Sequence, residues 1–366
     1  MAEVQVEAQW LERVTVESDA RDLTEPDAPA DVDPKLKNHY MDGGTFILDA
    51  PDVPPAIWGS GGDILWAEGE TLMIAAPQGV GKTTLAFQVV RARLGLQKDV
   101  LGLPVVPTEG KVLYLAMDRP AQARRAAARL FAKDPREVLA EHLVFWKGPP
   151  PVDLAKHVGT MAAMCEEVGA DTLVIDSIKD AAVGLSDDVV GAMWNRARQI
   201  VMELGINVLE LHHTRKQGNN GGEPNTISDI YGSTWITSGV GSVVSLFGDP
   251  GDPIVSFRHL KQPMNEIGPF KVIHDHTAGT SAIMQGTDLL DLVKAQGAGG
   301  LGVVDAAKAL FEKPAPTAPE REKARRKLDR LVEQKLLVRR DGPSRTSPAV
   351  YFLAARNAVR EVQECL

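Results

Sequence analysis

Cysteine is nearly absent from this chain: 366 residues hold two, Cys165 and Cys365. Two thiols so far apart exclude a disulfide framework and a zinc site built from cysteine, and they set the expectation of a reducing, cytoplasmic compartment. Long apolar runs are absent as well. No stretch of ~18 uncharged apolar residues occurs, so no membrane span and no membrane partner is expected. The opening "MAEVQVEAQWLERVTVESDA" lacks the basic-then-apolar order of a secretion signal. No internal repeat is found.

What is present is length and an uneven charge. A chain of 366 residues with 44% hydrophobic content can bury the core of one large or two modest domains. The net charge of −9 sits in the leader: residues 1–60 carry 13 Asp/Glu against 4 Lys/Arg, whereas residues 288–366 carry 11 against 15. The overall acidity therefore says little about partners. "EPDAPADVDP" (25–34) is poor in apolar residues, and 1–43 reads as an acidic flexible leader.

From residue 44 short apolar runs alternate with helical patterns. Strands are expected at 72–75, "KVLYLAM" (111–117), "LVFW" (143–146), "TLVIDS" (172–177) and "NVLELHH" (207–213). Helices are expected at 82–94, 122–132, 154–168 and 187–204. Near-continuous apolar strands separated by helices indicate an α/β fold with a mostly parallel sheet covered on both faces. "GSVVSLFG" (241–248) and "PIVSFRHL" (253–260) read as hairpin-type strands that extend it. The composition breaks near 276–290. Beyond it come helices at 287–296, 303–312 and 318–335, then a β pair within 336–354, the order of a winged helix-turn-helix. The expected domains are thus 44–280 and 287–356, with a tail at 357–366.

One stretch carries specific chemistry. Ala76, Pro77, Gln78, Gly79, Val80, Gly81, Lys82 and Thr83 match G-x-x-x-x-G-K-[ST] at all but the first position, with Thr84 next in the helix. Backbone N–H groups must turn inward around a phosphate, which requires the conformational freedom of Gly79 and Gly81. The helix beginning at Lys82 points its positive end at the anion. Lys82 would reach the β- and γ-oxygens of ATP, and the Thr83 hydroxyl would ligate Mg²⁺. Ala76 in place of glycine removes some freedom at the start of the loop. "TLVIDS" ends a strand in Asp176, either a helix cap or, with a phosphate loop elsewhere in the sheet, the second magnesium residue. Asp118, at the end of "VLYLAMD", is either the N-cap of the helix after Pro120 or the acceptor for the attacking water. As an acid shorter than Glu, it would give slow hydrolysis. His212 and His213 close another strand, as packing residues or, in the case of His213 above all, as a γ-phosphate sensor. No third ligand stands at zinc spacing beside them.

Taken together, "AAPQGVGKTT", "VLYLAMDRP", "TLVIDSI", "LHHTRK" and "DIYGSTWITSGVGSVVSL" resemble the RecA-like hexameric ATPases, and within them the RepA-type plasmid helicases and related phage AAA-type replication proteins. The resemblance spans residues ~44–275. It implies a RecA-like P-loop core in which Lys82 and Thr83 bind nucleotide and magnesium, Asp176 is the Walker B acid, and Asp118 stands where the family usually has Glu. It also implies a homo-hexameric ring in which a basic residue of the next subunit completes each site. Arg258 and Lys261 are candidates for that finger, against the alternative of solvated strand-edge charges. The loop 216–227, with Arg215 and Lys216, would face a channel and touch single-stranded DNA.

The basic tail points the same way. Arg321, Arg325, Arg326, Lys327 and Arg330 fall on one expected helix, and Arg339, Arg340 and Arg345 on the wing. They form either a solvated face or a set of phosphate contacts on DNA. Tyr351 and Phe352 are the few aromatics there, so base stacking is not indicated. Three functions compete. The first is an ATP-driven DNA motor or helicase of phage or plasmid replication or recombination. The second is a nucleotide-switched DNA-binding protein that does not unwind. The third is a small-molecule phosphotransferase, for which an arginine-rich lid is missing.

Overall fold

The computed structural model describes residues 40–215, 223–284, 289–333, 336–341 and 348–354. Lys216 and the first part of the loop 216–227, Arg345, the tail 357–366 and the expected leader up to residue 39 lie outside the described residues. Asp42 accepts a hydrogen bond from the Thr45 N–H and caps the short helix Gly43–Leu48.

The strands are β1 (Ala56–Ser60), β2 (Asp63–Ala67), β3 (Leu72–Ala75), β4 (Asp99–Val100), β5 (Leu103–Pro104), β6 (Lys111–Ala116), β7 (Leu143–Lys147), β8 (Ala170–Asp176), β9 (Asn207–His212), β10 (Ser242–Phe247), β11 (Ile254–Lys261), β12 (Phe270–Asp275), β13 (Thr280–Ile283), β14 (Leu301–Gly302), β15 (Leu337–Arg340) and β16 (Val350–Leu353). Among the described residues, nine of them form one sheet in the order β13-β12-β11-β10-β3-β9-β8-β6-β7. The pairs from β10 through β7 are all parallel, and β11 adds antiparallel to β10. Every residue of β3 is buried, as a central strand covered on both faces requires.

Alternation along the strands assigns the two faces. Met73, Leu113, Leu115, Leu173, Ile175 and Val208 pack with Met161, Cys165, Trp194 and Val201 from the helices Thr160–Val168 and Asp188–Glu203. On the other face, Tyr114 stacks on Phe87 of the helix Lys82–Arg93, with centroids 4.8 Å apart. Phe131 of the helix Pro120–Phe131 meets Phe87 edge-on. The expected α/β architecture, a RecA-like P-loop core with helices on both faces, is the one observed.

Local differences have physical causes. The helix expected from 154 starts at Thr160, because the Asp153 carboxylate takes the N–H groups of Ala155 and Lys156 and folds that stretch as a turn. The helix after Asp118 begins at Pro120, the favoured first position for proline.

The chain divides into two compact units, the second containing the residues from Ile283 onward. In that unit the helices Leu289–Gln296, Val303–Phe311 and Ala318–Glu333 accompany a three-stranded antiparallel sheet, β14-β16-β15. Leu289, Val293, Leu301, Ala324, Leu328 and Tyr351 form its core. No helix among the described residues is long and apolar enough to cross a membrane.

Candidate active site

The loop between β3 and the helix Lys82–Arg93 has the shape its sequence requires. Gly79 (φ +81°) and Gly81 (φ +95°) are both left-handed, and a Cβ at either would run into a neighbour, Pro250 or His274 respectively. Ala76 has no positive φ, so the missing glycine at the start of the loop costs nothing there. Gly81 caps the helix with no side-chain hydrogen bond, which leaves the first-turn N–H groups directed at the loop's concavity. Gln78 and Gly79 are exposed, Val80 is buried, and Thr84 is half-buried in the first turn.

Lys82 is 8% exposed and lies back across the loop, donating to the carbonyls of Ala76 (2.8 Å) and Pro77 (3.0 Å). Burial pulls its pKa down to about 8, and Asp176 opposes that shift. Strand β8 ends beside this cation, and Asp176 Oδ2 accepts hydrogen bonds from Thr83 Oγ1 (3.2 Å) and Tyr114 OH (2.7 Å). Burial raises the Asp176 pKa, while the Tyr114 and Thr83 hydrogen bonds and Lys82 restrain the rise. This is not a helix cap: the N-cap of the next helix, Ile178–Ala181, is Ser177. A hydroxyl and a carboxylate held together at the carboxyl ends of parallel strands are a hard oxygen-donor pair suited to Mg²⁺.

The two histidines diverge. His212 is fully buried, its Nε2 donates to the Tyr231 carbonyl (2.7 Å), and burial lowers its pKa to about 3. His213 turns to the phosphate loop. It hydrogen-bonds the Ala76 backbone, and burial, followed by Lys82 and Lys179, holds its pKa at about 4.

Asp118 lies two residues past the end of β6, whose last residue, Ala116, pairs in register with Asp176. Its side chain is half exposed and accepts from Arg119 Nε at 2.8 Å, not from the Lys82–Thr83–Asp176 group. It does not cap the following helix either, because the N-cap position is Arg119.

Arg258 is engaged by Glu223 at 2.9 and 3.2 Å, and Lys261 Nζ donates to the carbonyls of Thr237 (3.3 Å) and Ser238 (2.9 Å). Arg215 and Lys261 both line a cavity of about 470 Å³ with Ile230, Ser233, Thr237 and Ser238. In the second unit, Arg325 is held by Glu322 and Asp329, Arg326 by Glu322, and Arg339 by Asp341. Arg340 stacks over the Phe352 ring at 4.7 Å. Arg330 lies on the same helix as Arg325 and Arg326.

Tyr114 is the member of the site that motif reading passed over. Its signal was one polar tip in an otherwise apolar strand, and its partner is 62 positions away.

Residues 47–219 match the family model of an AAA domain. The match takes in the phosphate loop, Asp118, Asp176 and His213, so this part of the chain is similar to AAA domains. That family binds nucleotide, typically with Mg²⁺. No curated protein matches the chain.

Proposed function

We infer, taking the AAA-type domain as premise, that this protein is an ATP-dependent DNA-associated motor: a cytoplasmic RepA- or DnaB-like helicase, or DNA-stimulated ATPase, of phage or plasmid replication or recombination. The observation that carries the ATPase half is the meeting of Thr83 and Asp176, 3.2 Å apart, beside a buried Lys82 under a helix N-terminus. Thr83 and Asp176 would hold Mg²⁺. Bound there, the ion would supply positive charge to neutralise phosphate oxygens. Lys82 would exchange its two loop carbonyls for phosphate oxygens. The amides of the loop would bind the β-phosphate, His213 would contact the γ-phosphate, and Asp118, once released from Arg119, would accept the proton of the attacking water.

The DNA half rests on different features. The order of helices and strands in the second unit supports reading it as a winged helix-turn-helix, and residues 288–366 carry a net excess of Lys and Arg. Arg325, Arg326, Arg330, Arg339 and Arg340 are its candidate phosphate contacts, with DNA displacing the carboxylates that hold Arg325, Arg326 and Arg339. Arg215 and Lys216 would touch single-stranded DNA in the channel of a homo-hexamer, and Arg258 or Lys261 would reach the neighbouring subunit's nucleotide.

A second reading is favoured by one observation: Asp118 is short and engaged by Arg119. It describes a nucleotide-switched DNA-binding and assembly protein with weak turnover and no unwinding. ATP hydrolysis measured with and without single-stranded DNA, together with strand displacement from a forked duplex, separates the two. Stimulation with displacement supports the motor. Tight duplex binding with nucleotide-dependent oligomers and no displacement supports the switch. Asp118→Asn should trap bound ATP in either case, and normal turnover by that variant would remove Asp118 from the reaction.

A further inference from the structure

Gly81 has no room for a side chain, because the space a Cβ would take is filled by the imidazole of His274. His274 comes from β12, far downstream of the phosphate loop, and is 4% exposed. Its backbone N–H is fixed to the Pro253 carbonyl (2.6 Å), and its Nδ1 lies 2.7 Å from Ser281 Oγ. Ser281 is in turn tied to the helix that follows the loop. Its N–H donates to Gln88 Oε1 (2.7 Å), and its carbonyl accepts from Gln88 Nε2 (3.3 Å). The imidazole is therefore held against the loop from both sides of its own strand hairpin.

The other ring nitrogen has no such anchor. Nε2 is buried against the backbone of Val80 and Gly81: the Val80 backbone is near enough to favour a proton on it, but the geometry falls short of a full hydrogen bond among the described residues. A buried polar atom left in that state calls for a reason. Burial lowers the His274 pKa, so the ring is neutral at pH 7 and carries one proton. A Ser281 hydroxyl that donates to Nδ1 puts that proton on Nε2, on the side of the loop.

A loop that cradles an anion turns its N–H groups inward, which sends the intervening carbonyls outward. His274 occupies the outer side at Val80–Gly81. We propose that His274 is a positioning residue of the phosphate loop: its Nε2–H, set by Ser281, holds the Val80 carbonyl outward and thereby fixes the Gly81 amide inward, toward a nucleoside polyphosphate. The proposal rests on reading the loop as a phosphate site.

Calorimetric titration with MgADP, alongside steady-state ATP hydrolysis and thermal unfolding, tests it. His274→Met keeps the volume and removes the donor; its MgADP affinity should fall about tenfold and its KM for ATP rise to match, with kcat within about twofold. His274→Gln restores an amide donor near the Nε2 position and should recover to within about threefold of the parent. Ser281→Ala frees the tautomer and should weaken binding by about threefold. Unchanged affinity in His274→Met, or His274→Gln no better than His274→Met, overturns the proposal. If His274→Met fails to unfold cooperatively, Ser281→Ala decides: weakened binding supports the role and parental affinity overturns it. Lys82→Ala separates the two levels of inference. If it binds MgADP normally, the phosphate-loop reading itself fails. If it does not bind while His274→Met binds with parental affinity, only the role of His274 fails.

Discussion

Lys82 is a cation kept partly against its preference. Desolvation brings its pKa to about 8, and the nearby Asp176 carboxylate keeps it from falling further. The sign of the consequence is fixed. Below pH 8 the free protein already carries the proton, and a polyphosphate that arrives needs nothing more. Above pH 8 the free amine is increasingly neutral, while bound phosphate favours the charged form, so binding must take up a proton. MgADP affinity should therefore hold steady up to about pH 8 and then fall by up to about tenfold per pH unit. Titrations at pH 9 in buffers of different ionisation enthalpy should show close to one proton taken up per nucleotide. Proton release, or affinity flat from pH 7 to 9.5, would contradict this assignment of Lys82.

At the scale of elements, β9 links the site to the rest of the domain. It lies between β3 and β8, is followed directly by His213, and places Glu210 where Met73 and Ile175 pair beside it. Glu210 and Arg198 are both fully buried, joined at 2.8 and 2.9 Å, with Trp194 Nε1 donating to the same carboxylate. Arg198 also donates to the Ile236 carbonyl, which ties β9 to the helix Thr234–Ser238. A buried pair of this kind costs more to break than it contributes when intact, since one charge is left without its partner. Arg198→Met should lower unfolding stability by about 3–5 kcal/mol, and Arg198→Met/Glu210→Leu should regain much of that loss, as read from urea midpoints. An unshifted midpoint in the single variant would show that Glu210 is rescued some other way.

This is also the scale at which the sequence stops being readable. Leu72–Ala75 or Leu173–Ile175 declare themselves because a central parallel strand is apolar on both faces, and the phosphate loop because backbone geometry demands glycine at fixed spacing. Glu210 inside "VLELHH" gives no hint that an arginine 12 positions earlier will meet it. The same holds for Tyr114 on Asp176 and for His274 behind Gly81, whose contacts exist only once distant strands are side by side. Local pattern determined the elements; the side chains that tune the site depend on pairing order.

For the whole molecule, the question is what the second unit adds to the one that carries the phosphate loop. Its cationic character is real but partly neutralised from within. The helix Ala318–Glu333 spends Arg325 and Arg326 on Glu322 and Asp329, and Asp329 also accepts from the Tyr351 hydroxyl at 2.6 Å. DNA would have to compete with those carboxylates, so its hold should be weak at high salt and steep in salt concentration, as a count of phosphate contacts predicts. The core of this unit is its own, built from Leu289, Val293, Leu328 and their neighbours. Removing residues 288–366 should therefore leave basal ATP hydrolysis within about twofold while duplex affinity at low salt drops by an order of magnitude or more. Fluorescence anisotropy with a labelled duplex, repeated across a salt series, reads both the loss and the flattened slope. Equal affinity and equal slope with and without these residues would reduce the basic helix to a solvated surface and leave any grip on DNA to the loop that follows His213.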